Sequence, residues 1–190
     1  MAIITLNNRA INRSDTAASG QLWTATSATA SDFQAVSAGK IGQVVQTLKT
    51  DTEQSTSTSF VSADFAVTIT PTATSSKILL LVTFGSLNTQ NGGQYTHVKI
   101  DGGNCATYIG GAATGYETAM TTIGTKDSTG QQGGLSLMYL DSPSTTSSTT
   151  YTVHWHMGDG SGNINLNRVY SLLAAAGNTA STFTAMEVLA

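Results

Sequence analysis

Lys77 to Phe84 reads KILLLVTF, and this octapeptide decides the fold class. Taken with a period of two, it places Ile78, Leu80, Val82 and Phe84 on one face and Leu79 and Leu81 on the other, so a strand here is dry on both sides. Leu135 to Leu140 repeats the pattern, with Leu135, Leu137 and Tyr139 against Met138 and Leu140. So does Thr182 to Leu189, where Phe183, Ala185 and Leu189 oppose Met186 and Val188, and Gln43 to Leu48 joins the set through Val44, Val45 and Leu48. Two other runs are one-sided. Phe65 to Thr70 sets Phe65, Val67 and Ile69 against Ala66, Thr68 and Thr70, and Thr149 to Met157 sets Tyr151, Val153, Trp155 and Met157 against Thr150, Thr152, His154 and His156.

A two-layer sandwich buries one face of each sheet, so a sheet with two dry faces needs a further cover. No long helix is expected to supply it, and the expected cover is another copy of the chain, with Leu79, Leu81, Met138, Phe183 and Leu189 in the interface. The alternative is a set of central strands with a few exposed aliphatics. Tyr95 to Ile100, Cys105 to Ile109 and Ile164 to Tyr170 complete the expected strands. Gly, Asn, Asp, Ser and Pro clusters separate them, and Pro71 and Pro143 fall just outside runs, where they end pairing. The pattern is that of an all-β sandwich or barrel.

The 190 residues suit one domain, or one domain plus an arm. Residues 1–39 lack a sustained period and carry few bulky side chains, so they cannot form a core of their own. They are expected to be an extended arm that orders on another surface through Ile3, Ile4, Trp23 and Phe33, with a disordered tail or a short edge strand as alternatives. Residues 40–190 are the expected globular domain. No apolar heptad marks a coiled-coil stalk.

Charged residues are only 10% of the chain, while Ser and Thr supply roughly 28% against a far smaller usual share of such hydroxyls. With a formal net charge of -3 and scattered Lys and Arg, nucleic acid is not an expected partner. The longest apolar run, Ile78 to Val82, is far short of a bilayer span, so no membrane is expected either. A lone cysteine, Cys105, cannot form an intrachain disulfide. A chain folded in a cytoplasm yet surfaced for exposure points to a virion component assembled in the host cytoplasm.

Sites for chemistry are sparse. His154 and His156, at i and i+2, share a strand face and could share a metal, but His97 is the only other histidine and solvent-facing or hydrogen-bonded imidazoles are the simpler reading. The loop GDGSGN at 158–163 spaces Asp159, Ser161 and Asn163 like the start of a calcium loop, yet the twelfth position is Tyr170, so a tight turn is expected. Cys105 reads as a buried small side chain, and no acid–base pair or nucleophile motif is present. No enzyme activity, cofactor or metal is expected. The long stretch from Gly110 to Gly134 carries Tyr116, Glu117 and Lys126, which could meet a receptor or sugar, or could simply pack the loop.

Several stretches carry a resemblance. The four two-faced strands partition as in the trimeric jelly rolls of the tumour-necrosis-factor and complement-head type, whose inner sheet packs around a threefold axis. TITPTATSSKILL at 68–80, LDSPSTTSSTTY at 140–151 and STFTAMEVLA at 181–190 resemble segments of phage proteins of this shape. MAIITLNNRAINRSD, followed by LWTATSATASDFQA, is similar to the opening of many marine tailed-phage structural proteins. The resemblance implies a jelly-roll β-sandwich that forms a homotrimer, bound by its N-terminal arm to the major capsid protein or to tail or fibre proteins. The implied function is non-enzymatic capsid decoration, with a receptor-binding knob contacting a host surface glycan or protein as the alternative.

Overall fold

The computed structural model describes residues 21–25, 31–35, 40–90, 95–105, 121–124, 132–158, 162–168 and 178–190. The chain divides into two units, residues 1–39 and 40–190. In the first, β1 (Gln21–Ala25) and β2 (Ser31–Ala35) pair with each other antiparallel, Trp23 opposite Phe33. This part of the expected arm is therefore a two-stranded ribbon and not a bare extended segment. Ile3 and Ile4 lie outside the described residues.

The second unit is all-β among its described residues, and every strand pair is antiparallel. Its strands are β3 (Ile41–Lys49), β4 (Glu53–Ser55), β5 (Val61–Ile69), β6 (Lys77–Gln90), β7 (Tyr95–Asp101), β8 (Thr121–Gly124), β9 (Gln132–Asp141), β10 (Thr149–Met157), β11 (Asn163–Leu166) and β12 (Ser181–Val188). One sheet runs β5-β10-β7-β8. The other runs β3-β12-β6-β11-β4, with β9 on the second edge of β6. The four runs read as dry on both faces are thus four neighbours, β3, β12, β6 and β9, and the two one-sided runs, β5 and β10, are neighbours in the opposite sheet. β6 is long enough to serve two partners on one edge: its first half pairs with β12 and its last four residues with β11.

The sheets face each other across one core. Phe65 of β5 sits edge-on to Phe84 of β6 and Phe183 of β12, with ring centroids 6.3 and 5.7 Å away. Val67, Ile69, Tyr151, Val153 and Trp155 on one sheet and Ile78, Leu80, Val82 and Ala185 on the other fill the same interior. Phe183 is fully buried there, which corrects its expected place in a subunit interface. Its register partner on β6 is Val82, itself a core residue, and cross-strand partners share a face.

Polar side chains brace the margins of this core. A bulge sets Gly42 and Gln43 of β3 against the single residue Glu187 of β12. The buried Glu187 carboxylate accepts from Gln43 Nε2 at 2.9 Å, from the Thr72 amide at 2.6 Å and from Thr72 Oγ1 at 2.7 Å. Burial alone would push its carboxyl up, but these donors hold it down at about 2. At the other end of β3, Lys49 is buried and pairs with Asp51 at 2.8 Å. Asn167, at φ 58°, donates to the Lys49 and Asp51 carbonyls and accepts from Ser181, tying the ends of β3, β11 and β12 together. Asp141, buried at the end of β9, accepts from Tyr151 Oη at 2.7 Å and from the Asn104 amide at 3.2 Å. The turn that brings this amide in requires Gly103, whose φ is 51° and where a Cβ would collide with the Asp141 carboxylate.

Two outcomes follow. A carboxyl held below its ordinary 4.5 stabilises the fold above that pH, and the contribution is lost as pH falls toward 2. Urea unfolding should therefore show E187Q less stable than wild type at pH 7, with the gap closing as pH falls from about 4.5 to about 2. G103A should lower stability by about 1–3 kcal/mol through strain at a positive φ, measured by the same unfolding curves.

Candidate interaction surface

The outward face of the β3-β12-β6-β9 half-sheet is built by register. Val44, Met186, Leu79 and Leu140 form one row across the four strands. Gln46, Thr184, Leu81 and Met138 form the next, and Leu48, Thr182, Thr83 and Ser136 the third. Beyond the β3 bulge, Ile41, Val188 and Lys77 form a further row next to the first. Relative exposure is 73% at Met138, 60% at Leu48, 55% at Val44, 49% at Ile41 and 45% at Leu140. These are the large exposed hydrophobic side chains among the described residues, and all five belong to this one face. The polar members of the rows are hydroxyls and one amide, partly satisfied within the face: Gln46 Nε2 donates to Thr184 Oγ1 at 2.8 Å. Lys77, at the margin, is the one charged side chain in the register rows.

Of the residues expected in an interface, Leu79, Leu81 and Met138 lie on this face, with Leu79 and Leu81 half-buried. Leu189 follows β12, where its amide donates to the Lys40 carbonyl at 2.7 Å and its half-buried side chain lies over Gly42. Val44, Met186, Leu140, Ile41 and Val188 belong to the face and were not singled out from sequence. Leu140 shares the parity of Met138, but Met186 and Val188 have the opposite parity to Phe183 and Leu189, and Ile41 lies beyond the β3 bulge, so the register is needed to place them.

The outward face of the opposite sheet is chemically different. Thr68 and Thr150 face each other with hydroxyls 2.8 Å apart. Further along, His154 is opposite Lys99 and His156 is opposite His97. The rings of His97 and His156 stack with centroids 4.6 Å apart, Phe60 lies edge-on to His156 at 4.4 Å, and Lys99 Nζ sits 4.5 Å above the Phe60 ring. Asp101 is 4.0 Å from His154 Nε2. Among the described residues no three His, Cys, Asp or Glu side chains gather as a metal site would require.

Cys105 lies at the end of the turn after β7, fully buried, and burial with the nearby Asp141 and Asp101 carboxylates pushes its thiol up to about 12. Burial and the bond to Asp141 likewise raise the Tyr151 phenol. Neither is poised as a nucleophile. Tyr116, Glu117 and Lys126 lie outside the described residues, as do Asp159 and Ser161 of the GDGSGN segment.

No known protein-family model matches the chain, and no curated protein matches it in sequence.

The Cys105 environment has a direct readout. The native protein should resist a maleimide at pH 8 over hours, and should label fully once unfolded in guanidinium.

Proposed function

We propose that the protein is a non-enzymatic structural component of a bacteriophage virion, a homotrimeric jelly roll that decorates the capsid surface. The observation that carries this reading is the four-stranded apolar face of Val44, Met186, Leu79, Leu140, Leu81 and Met138. A contiguous exposed apolar surface of this kind marks an interaction site, since solitary chains seldom present one. Its setting favours a second and third copy of the same chain as the cover. Two antiparallel sheets, one of which sets the four two-faced runs β3, β12, β6 and β9 side by side, support the reading of a jelly roll whose two-faced sheet turns inward to a threefold axis. The lack of charge on the face suits self-association, because nothing in it repels its own image and few ions need be desolvated. The virion assignment rests on the resemblance of 1–15, 22–35, 68–80, 140–151 and 181–190 to phage structural proteins.

Sedimentation of the full chain should give three copies of the 19.6 kDa protomer. L81D and M138D should each shift the protein to monomer or aggregate, while T68D on the opposite sheet should leave the trimer intact. A wild-type monomer would overturn the trimer. For location, labelled particles should carry the protein over the capsid, and particles lacking it should assemble and adsorb normally but lose heat resistance; loss of adsorption would favour the receptor-binding knob.

A further inference from the structure

The outward face of β3-β12-β6-β9 holds one group whose hydrogen bonding the chain leaves half finished. Gln46 lies on β3, an edge strand of its sheet among the described residues, between Val44 and Leu48, which are 55% and 60% exposed on the same face. Its exposed side chain is anchored at one atom: Nε2 donates to Thr184 Oγ1 at 2.8 Å. That bond uses one of the two N–H groups of the amide, so the second N–H and the Oε1 carbonyl point onward to whatever meets the face. The other polar side chains in the three rows are hydroxyls, and Thr83 and Ser136 already face each other at 3.5 Å. Gln46 is the one amide among them, and Thr184 holds it in place.

Covering this face sets two terms against each other. Val44, Leu48 and Met138 gain by leaving water, whereas an amide taken with them and left unpaired forfeits its bonds to water and offsets the gain. Whatever covers Gln46 must therefore bring it both an acceptor and a donor. A second Gln46 brings both, and each copy of the chain supplies one. In a closed ring of copies, each amide donates its free N–H to the next Oε1 and accepts from the one before, so no group is left over. This inference rests on the homotrimer reading and deepens it. We propose that Gln46 sets the register of the trimer: the apolar rows drive the copies together, and the ring of Gln46 amides, each steadied by Thr184, selects one arrangement among the many that apolar contact alone permits. A buried amide can fix partner number and register in an apolar interface at a cost in affinity.

The test is sedimentation of the full chain and three variants, each checked by circular dichroism for wild-type strand content. Q46E brings like charges together and should weaken the trimer about tenfold or more at pH 7. Q46L removes the amide without adding charge; it should associate at least as tightly as wild type but spread over dimers, trimers and larger species. Q46C treated with a short bismaleimide should be joined covalently between copies, whereas T68C on the opposite sheet should not, and the native Cys105 is buried away from the reagent. If L81D disperses the trimer while Q46E and Q46L both remain wild-type trimers, the register assignment falls and the trimer stands. An intact Q46C trimer that does not cross-link also overturns the assignment, and a monomeric wild type overturns it together with the trimer.

Discussion

β6 is the strand on which the remainder of the domain depends, because it is committed on four sides at once. Its two edges are hydrogen-bonded, to β12 and β11 on one side and to β9 on the other. Its Ile78, Leu80, Val82 and Phe84 are fully or almost fully removed from water. That leaves Leu79 and Leu81 facing outward in the middle of the sheet, where no loop of the described chain covers them fully. A period of two allows no rearrangement: slipping β6 by one residue would exchange the two apolar sets and break every pair with β9 and β12. The strand is stable as placed, and its outward side is a consequence of that placement.

The low charge of the chain acquires meaning from where its few ions are spent. Glu187, Asp141 and Lys49 are buried, each with its own donors or acceptors. Each sits at a strand end or a bulge, where ladder bonding stops and backbone groups would otherwise lack partners. Amides take the same role where charge is absent: Gln54, Asn165 and Asn88 bond in a row across β4, β11 and β6, and Asn88 continues to the Arg168 carbonyl. Other described ions stay outside: Lys40, Asp51, Asp64, Lys77, Asp101 and Arg168 are exposed on a surface otherwise rich in Thr and Ser.

Much of this was legible in the residues. The division between two-faced and one-faced runs predicts which strands share a sheet, since burial on both sides is a property of a sheet and not of a lone strand. Phe183 shows the limit. Both sets in Thr182 to Leu189 are apolar, and Glu187 shares parity with Phe183, so that set looks like the wetter, outward one. The carboxylate is in fact buried by a bulge and by Thr72, residues far away in sequence, and no local pattern announces such a contact. β4 and β8 escape for a related reason: EQS and TTIG have no internal alternation and become strands only because β11 and β7 offer an edge. The stacking of His97 on His156 likewise depends on the β7–β10 register, which spacing along the chain does not contain.

The two outer faces sit on opposite sides of one core, and their chemistry diverges at the level of residue type. On β3, β12, β6 and β9 the outward positions carry Val, Ile, Met and Leu interspersed with Thr, Ser and Gln; on β5, β10 and β7 they carry Ser, Ala, Thr, His, Lys and Asp. Under the proposed trimer the asymmetry has a physical reason, because the apolar sheet is covered and the polar sheet meets water. Covering the first face removes apolar area worth roughly 25 cal/mol per Å² and leaves the second face exposed. Any assembly that uses the apolar sheet therefore displays the histidine-bearing sheet outward, once per copy.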